Sequence, residues 1–115
     1  MTDQAQEVDE PSRRRPPDRR GHEVISFRHG GVDYVAGIGR YDDGRLAELF
    51  LNGGKLGTHA DTAARDAAIA ASLLLQHGCP AETLSRALTR NADGSASGPL
   101  ARALDLLGAG GSEGQ

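Results

Sequence analysis

The stretch from Tyr41 to Thr58 constrains the fold most, because it contains a turn, a strand and a glycine-rich loop in immediate succession. Asp42-Asp43-Gly44 is a strong turn signal, since aspartate bonds its own backbone and glycine adopts a positive φ easily. Leu46 to Asn52 follows with apolar residues on both alternating faces, which predicts a central strand covered on both sides. The loop from Gly53 to Thr58 should then lead directly into a helix.

Two further strands are predicted before this stretch. His22 to Arg28 and Val32 to Ile38 are separated by His29-Gly30-Gly31, which has the length and chemistry of a hairpin loop. Apolar residues alternate along both segments, as they do in strands with one buried face. The sequence therefore predicts a three-stranded antiparallel meander.

Three helices are predicted after the loop. From Asp61 to His77, alanine and leucine residues occur around nearly the whole helical cylinder, which predicts a long and largely buried helix. Gly78 should end this helix, and Pro80 should start a second one. Ser97 is predicted to cap a third helix that begins at Pro99. The fold class is thus α+β, a three-stranded antiparallel β-meander packed on a long Ala/Leu-rich helix plus two shorter helices.

The two ends of the chain differ from this core. Residues 1–20 contain five arginines and no periodic apolar face, so we expect a disordered arginine-containing arm. Residues 109–115 are rich in glycine and are predicted to form a disordered tail. Residues 21–108 remain as the folded domain, and a chain of 115 residues has room for only one.

Charge and cysteine content exclude several classes of function. A net charge of −3 argues against a dedicated nucleic-acid binder, apart from weak phosphate contacts of the arm. One cysteine, Cys79, excludes an internal disulfide and a zinc site built from several thiolates. Neither a membrane-spanning apolar run nor a secretory segment after Met1 is present, so we expect a cytoplasmic protein with no membrane contact.

The loop after the third predicted strand is the candidate ligand site. Lys55 offers a cation, Gly54 and Gly57 offer backbone N–H groups, and Thr58 offers a hydroxyl, all beside the positive end of a helix dipole. Arg45 would add a second charge at the sheet edge. We predict that these residues bind a phosphate group, although GGKLGT lacks the order of a Walker P-loop.

At each reactive position, a structural role such as capping or packing is an alternative to a chemical role. Thr58 or Asp61 can cap the helix of a plain strand-to-helix connection. His59 and Asp61 could assist a proton transfer or join a metal site, but a solvated helix cap explains both without a third ligand. Cys79 precedes a helix, where a thiolate is favoured, yet packing suits a lone cysteine better. We therefore predict no catalytic residue, no metal site and no cofactor.

Three segments in order resemble one known domain. They are Tyr41-Asp42-Asp43-Gly44-Arg45 with the strand that follows it, the loop Gly54-Lys55-Leu56-Gly57-Thr58, and the helix junction from Ser72 to Glu82 (SLLLQHGCPAE). Together they are similar to the TSCPD domain, which occurs near the C-terminus of adenosylcobalamin-dependent (class II) ribonucleotide reductases. The resemblance covers about residues 19 to 90.

The resemblance implies an accessory module of deoxyribonucleotide metabolism and not a reductase. Such reductases need a large barrel with a radical cysteine, a cysteine pair and a cobalamin site, whereas this sequence has one cysteine, Cys79, where the family usually has valine. We expect a non-catalytic module that binds a nucleotide, another phosphate-bearing ligand or a reductase subunit. Two alternatives stay open. One is an interaction module that docks or forms a homodimer through the alanine-rich helix, and the other is a subunit of a split ribonucleoside-diphosphate reductase.

Overall fold

Three strands and three helices, in the predicted order, make up the fold. A computed structural model describes residues 12–16 and 22–108. The strands are β1 (His22–His29), β2 (Val32–Arg40) and β3 (Leu46–Gly53), and the helices are α1 (His59–Gln76), α2 (Ala81–Ala87) and α3 (Pro99–Leu106). The predicted α+β class is confirmed. The predicted tail at 109–115 and most of the predicted arm lie outside the described residues.

The strands form an antiparallel sheet in the order β1-β2-β3. Gly30 and Gly31 close the hairpin between β1 and β2, and both have positive φ, as a two-residue loop matched to the twist of its strands requires. The turn at residues 42–44 connects β2 to β3, and Gly44 donates its N–H to the carbonyl oxygen of Tyr41 at 2.9 Å. The predicted meander is therefore confirmed.

The prediction that Leu46 to Asn52 is a central strand covered on both sides is wrong. β3 lies at an edge of the sheet, and the side chain of Phe50 on its outer face is 51% exposed. The pairing register shifts next to Gly39 and Arg40, so that Ala47 is an extra residue in β3. This bulge buries the neighbours Leu46 and Ala47 together, which breaks the alternation on which the prediction depended.

The core lies between the inner face of the sheet and the helices. Because the sheet has only three strands, the helices must supply much of the buried apolar surface. The principal core residues are Tyr34, Ala36, Ile38, Leu49 and Leu51 from the sheet, Ala64, Ala68, Ala71 and Leu75 from α1, Leu84 from α2, and Leu100 and Leu104 from α3.

Helix α1 is less buried than its sequence predicts. Ala64, Ala68, Ala71 and Leu75 form a single buried stripe, whereas Ile69, Leu73 and Leu74 are 58%, 38% and 46% exposed. The expectation of a largely buried helix is therefore wrong. The reason is geometric, since one small sheet can cover only one side of a helix.

Polar side chains on α1 cover the outer edge of β3. The hydroxyl of Ser72 accepts from the N–H of Leu49 at 2.8 Å and donates to the carbonyl oxygen of the same residue at 3.0 Å. The amide of Gln76 donates to the carbonyl oxygen of Ala47 at 3.1 Å. These bonds satisfy backbone groups that an edge strand would otherwise leave without protein partners.

An ion pair between Arg90 and Asp105 fixes the position of α3. Arg90 donates to the carboxylate of Asp105 at 2.6 Å and to the carbonyl oxygen of Ser85 at 3.0 Å, which joins α2 and α3. The side-chain hydrogen bond from Arg90 is the main reason that the pKa of Asp105 is lowered. The predicted cap by Ser97 is wrong, because Gly98 occupies the N-cap and the Ser97 hydroxyl donates to Asn91 at 2.8 Å.

Helix ends and membrane topology complete the description. α1 ends with His77 as its C-cap, and Gly78 takes the left-handed conformation predicted for the residue that follows. In the part of the chain that the structure describes, no helix has both the length and the apolar character needed to cross a bilayer.

Replacing Ser72 by alanine should destabilise the fold by roughly 1–3 kcal/mol, because both backbone groups of Leu49 lose their partner. Urea denaturation followed by circular dichroism measures the change in the free energy of unfolding. Thr62→Ala is the matched control, since Thr62 is exposed on the same helix and the substitution brings a similar gain in helix propensity. Equal effects of the two substitutions would contradict the role of Ser72 at the strand edge.

Candidate functional site

The structure separates the residues of the predicted phosphate site. Gly54, Lys55, Gly57 and Thr58 follow the end of β3, whereas Arg45 precedes its start. An eight-residue strand that rises about 3.3 Å per residue places these two positions more than about 20 Å apart. Arg45 therefore belongs to a different end of the sheet from the glycine-lysine loop.

The glycines of the loop have structural reasons to be glycine. Gly54 and Gly57 have φ values of 65° and 84°, a left-handed backbone that other residues rarely adopt. A Cβ atom at Gly53 would lie 2.1 Å from the ring of Tyr34, so this position needs glycine for close packing. The loop is a defined turn, and the ammonium group of Lys55 extends from it at an exposed position.

The polar groups of the loop are used within the fold. Thr58 is the N-cap of α1, where its hydroxyl accepts from the N–H of Asp61 at 3.2 Å and donates to the carbonyl oxygen of Lys55 at 2.7 Å. This confirms the capping alternative for Thr58. The N–H of Gly54 donates to the carbonyl oxygen of Asp33 at 3.1 Å.

Asp61 places a carboxylate group of the chain at the start of α1. Its buried carboxylate accepts from Arg65 at 2.8 Å and from the N–H of Gly53 at 3.2 Å. Chiefly because of the Arg65 hydrogen bond, the pKa of Asp61 lies below its ordinary value. Asp61 is thus buried in the fold, where the sequence suggested a solvated cap.

A cleft lies at the opposite end of the sheet. We call it the motif cleft, because five residues of the segment 40–46 and all of the segment 78–82 line it, together with Leu75 and residues 107–108. Its volume is about 460 Å³. These two segments belong to two of the three sequence motifs described above. More than 30 residues separate them in the sequence, so periodicity could not show that they meet.

Arginine side chains border the motif cleft. Arg40 pairs with Glu23 at 3.3 Å and donates to the carbonyl oxygen of Gly44 at 3.0 Å. Arg45 pairs with Asp43 at 2.8 Å, and its side chain is still 64% exposed. The hydrogen bond from the backbone N–H of Arg45 is the largest cause of the lowered pKa of Asp43. The guanidinium of Arg45 is therefore accessible at the cleft, whereas that of Arg40 is held by Glu23 and Gly44.

Cys79 lies in the wall of the motif cleft. Its side chain is half-buried and packs against the core, and its sulfur lies 3.6 Å from the carbonyl oxygen of Pro80. In the described ranges, no group of three His, Cys, Asp or Glu side chains is arranged to hold a metal ion. The contacts of Cys79 agree with the packing role that the sequence favoured.

Residues 12–16 contact the domain beside the motif cleft. The N–H of Arg14 donates to the carbonyl oxygen of Gln76 at 2.7 Å, and the hydroxyl of Tyr41 donates to the carbonyl oxygen of Arg14. The guanidinium of Arg14 lies 4.1 Å from the centre of the Tyr41 ring. Sequence reasoning missed these contacts, because an irregular segment that docks through its backbone has no periodic signal.

Comparison with known proteins relates part of this chain to a reductase. The sequence is 38% identical over 77 residues, or 67% of the chain, to the vitamin B12-dependent ribonucleotide reductase of Bradyrhizobium diazoefficiens. The chain spans about 6% of the length of this curated relative. No model of a known protein family matches the sequence, so its identification as a TSCPD domain stays a prediction. No solved structure matches it either.

Asp61→Asn should reduce the dependence of stability on acidic pH. Because the folded-state pKa of Asp61 lies below the ordinary value of 3.8, its ionised form stabilises the fold above that value, and this contribution is lost as the pH falls through the folded-state pKa. Urea denaturation at neutral pH and below pH 3.8 measures the effect. The variant should lose less stability on acidification than the wild type. Asp66→Asn, at an exposed position of the same helix, is the control. If both variants keep the wild-type dependence of stability on pH, ionised Asp61 does not stabilise the fold.

Proposed function

We propose that this chain is a non-catalytic, TSCPD-like module of deoxyribonucleotide metabolism that binds a nucleotide or a similar phosphate-bearing ligand. The observation that carries the proposal is the motif cleft, where exposed and positioned arginines border an apolar wall. Its relation to ribonucleotide reduction is supported by the similarity to the Bradyrhizobium enzyme. The activity named for that enzyme is not assigned to this chain.

The cleft combines the two chemistries that a nucleotide requires. The guanidinium of Arg45 offers parallel N–H donors that match the oxygens of a phosphate group. Leu46, Leu75 and Leu107 provide apolar surface for a base or a sugar. A volume of about 460 Å³ lies within the range of small-molecule sites. The cleft is too small to enclose a corrinoid, a much larger molecule, so we assign no cobalamin to it.

The glycine-lysine loop is the rival position for the phosphate. Lys55 remains exposed there, but the N–H of Gly54 and the hydroxyl of Thr58 already have partners inside the fold. Asp61 also places a carboxylate at the helix start, where it would repel an incoming anion. The geometry therefore favours the Arg45 end.

Thermal unfolding with added ligands tests the proposal. The panel consists of ribo- and deoxynucleotides, inorganic phosphate and adenosylcobalamin at fixed salt. A ligand at 100 times its Kd should stabilise the native state by about 2.7 kcal/mol, which is visible as a raised Tm. We expect a shift with nucleotides that Arg45→Ala abolishes and Lys55→Ala keeps.

Lys55→Ala is the matched control, because it removes one exposed cation from the opposite end of the sheet. Loss of binding in Lys55→Ala alone would place the phosphate in the loop. The absence of a shift with every compound would contradict ligand binding at either position.

A second candidate function is docking on a reductase chain. Ile69, Leu73 and Leu74 leave apolar surface exposed on α1. The region matched in the Bradyrhizobium enzyme makes up 6% of that chain. The rest of that enzyme therefore offers a large protein surface on which the matched region can pack. We propose a reductase of this kind as the occupant, in preference to a second copy of the module.

Light scattering coupled to gel filtration, with a purified B12-dependent reductase added, tests this docking. A complex that Ile69→Glu disrupts and Thr62→Glu preserves would support it, since both positions are exposed on α1. A dimer of the module alone would instead favour self-association, and no change in mass would exclude both.

A further inference from the structure

We infer that residues Ser12–Pro16 complete the ligand site of the motif cleft, with Arg14 supplying a second guanidinium that selects di- or triphosphates over monophosphates. This inference rests on the proposed nucleotide binding. It adds the class of ligand and a role for residues 12–16, which we call the arginine segment. The segment lies far from the cleft in sequence, and its docking brings it against Tyr41, one of the residues that line the cleft.

The first step is that the segment is held at defined positions. The backbone of Arg14 bonds on one side to the carbonyl oxygen of Gln76 and on the other to the hydroxyl of Tyr41. Arg13 donates to the side-chain oxygen of Gln76 at 2.7 Å. Gln76 is itself buried and bonded to Ala47, so the anchor is part of the rigid domain.

The second step is that Tyr41 joins the segment to the cleft. Tyr41 is buried and lines the motif cleft. The guanidinium carbons of Arg14 and Arg45 lie 4.1 Å and 5.4 Å from the centre of its ring. The ring of Tyr41 thus contacts both guanidiniums, each by cation–π attraction.

The third step is the balance of charge. The carboxylate of Asp43 pairs with Arg45 at 2.8 Å, and its pKa is lowered mainly by the backbone N–H of Arg45 and least by the charge of Arg14. Within the described residues, no hydrogen bond joins the exposed carboxylate of Asp42 to either guanidinium. Asp42 and Glu82 also place carboxylates at this end of the domain, but within the described residues no carboxylate is hydrogen-bonded to the guanidinium of Arg14.

A ligand with several phosphate groups offers acceptors to both guanidiniums. Two guanidiniums on one ring repel each other, and a ligand with several phosphate oxygens can bond to both at once. A monophosphate brings fewer oxygens and less charge to the same pair. Ligand binding and docking of the segment should consequently reinforce each other, since each stabilises the arrangement that the other needs.

Calorimetric titration of the full chain with dATP, dAMP and inorganic tripolyphosphate at fixed ionic strength tests the inference. We expect wild-type protein to bind dATP and tripolyphosphate more tightly than dAMP. Arg14→Ala should weaken dATP binding about tenfold, as expected for the loss of one charge-assisted contact, and change dAMP binding much less.

Arg15→Ala is the matched control, because it removes the same charge from the neighbouring exposed position in the same segment. It should change dATP binding less than Arg14→Ala. Trypsin cleavage within the arginine segment provides a second readout on the wild-type chain. Saturating dATP should slow this cleavage, while cleavage of a denatured substrate digested in parallel should not change.

The outcomes separate this inference from the proposed function. If Arg45→Ala abolishes dATP binding while Arg14→Ala binds like the wild type, the cleft binds nucleotide but the segment takes no part in it. Equal losses in Arg14→Ala and Arg15→Ala would overturn the inference in favour of general charge attraction. Unchanged trypsin cleavage at saturating dATP would also overturn it. Failure of the wild type to bind any of the three compounds overturns the proposed function as well.

Discussion

The rest of the fold depends on how α1 covers the outer edge of β3. A three-stranded sheet has two edges, and each edge strand presents backbone groups that need partners. Along β3 those partners are the side chains of Asp61, Ser72 and Gln76, which bond to Gly53, Leu49 and Ala47. The same helix presents a stripe of alanines to the core, and short side chains permit its close approach to the sheet. Polar bonds at the edge and apolar packing in the core therefore fix one position of α1.

The two ends of this helix then acquire different chemistry. At its start, the carboxylate of Asp61 accepts from the N–H of Gly53, so that the anion favoured at a helix N-terminus is already part of the chain. At its end, Gln76 still offers its backbone carbonyl and side-chain oxygens, which bind Arg14 and Arg13. The start of α1 therefore carries its own carboxylate, whereas the end of α1 binds two arginines of residues 12–16.

The proposed ligand is assigned to the motif cleft and not to the loop because the polar groups of the loop bond within the fold. At the cleft, Arg40 and Arg45 each have an acidic partner, and the guanidinium of Arg14 stacks on Tyr41. The exposed apolar residues of α1 lie outside this chemistry and suit a protein surface. The lining of the motif cleft and the exposed apolar residues of α1 are therefore separate groups of residues.

The sequence by itself determined the α+β class, the order of the elements and the hairpin at Gly30 and Gly31, and it offered Thr58 or Asp61 as the helix cap. These features follow from local patterns such as alternation, glycine placement and hydroxyl spacing, which act over a few residues. Tertiary structure decided the bulge at Ala47, the exposure of Phe50 and Ile69, and the burial of Asp61. It also decided that Arg45 is distant from Lys55 and that segments 40–46 and 78–82 meet in one cleft. The physical reason is that packing and charge pairing join residues far apart in sequence, and no local pattern records which of them become neighbours.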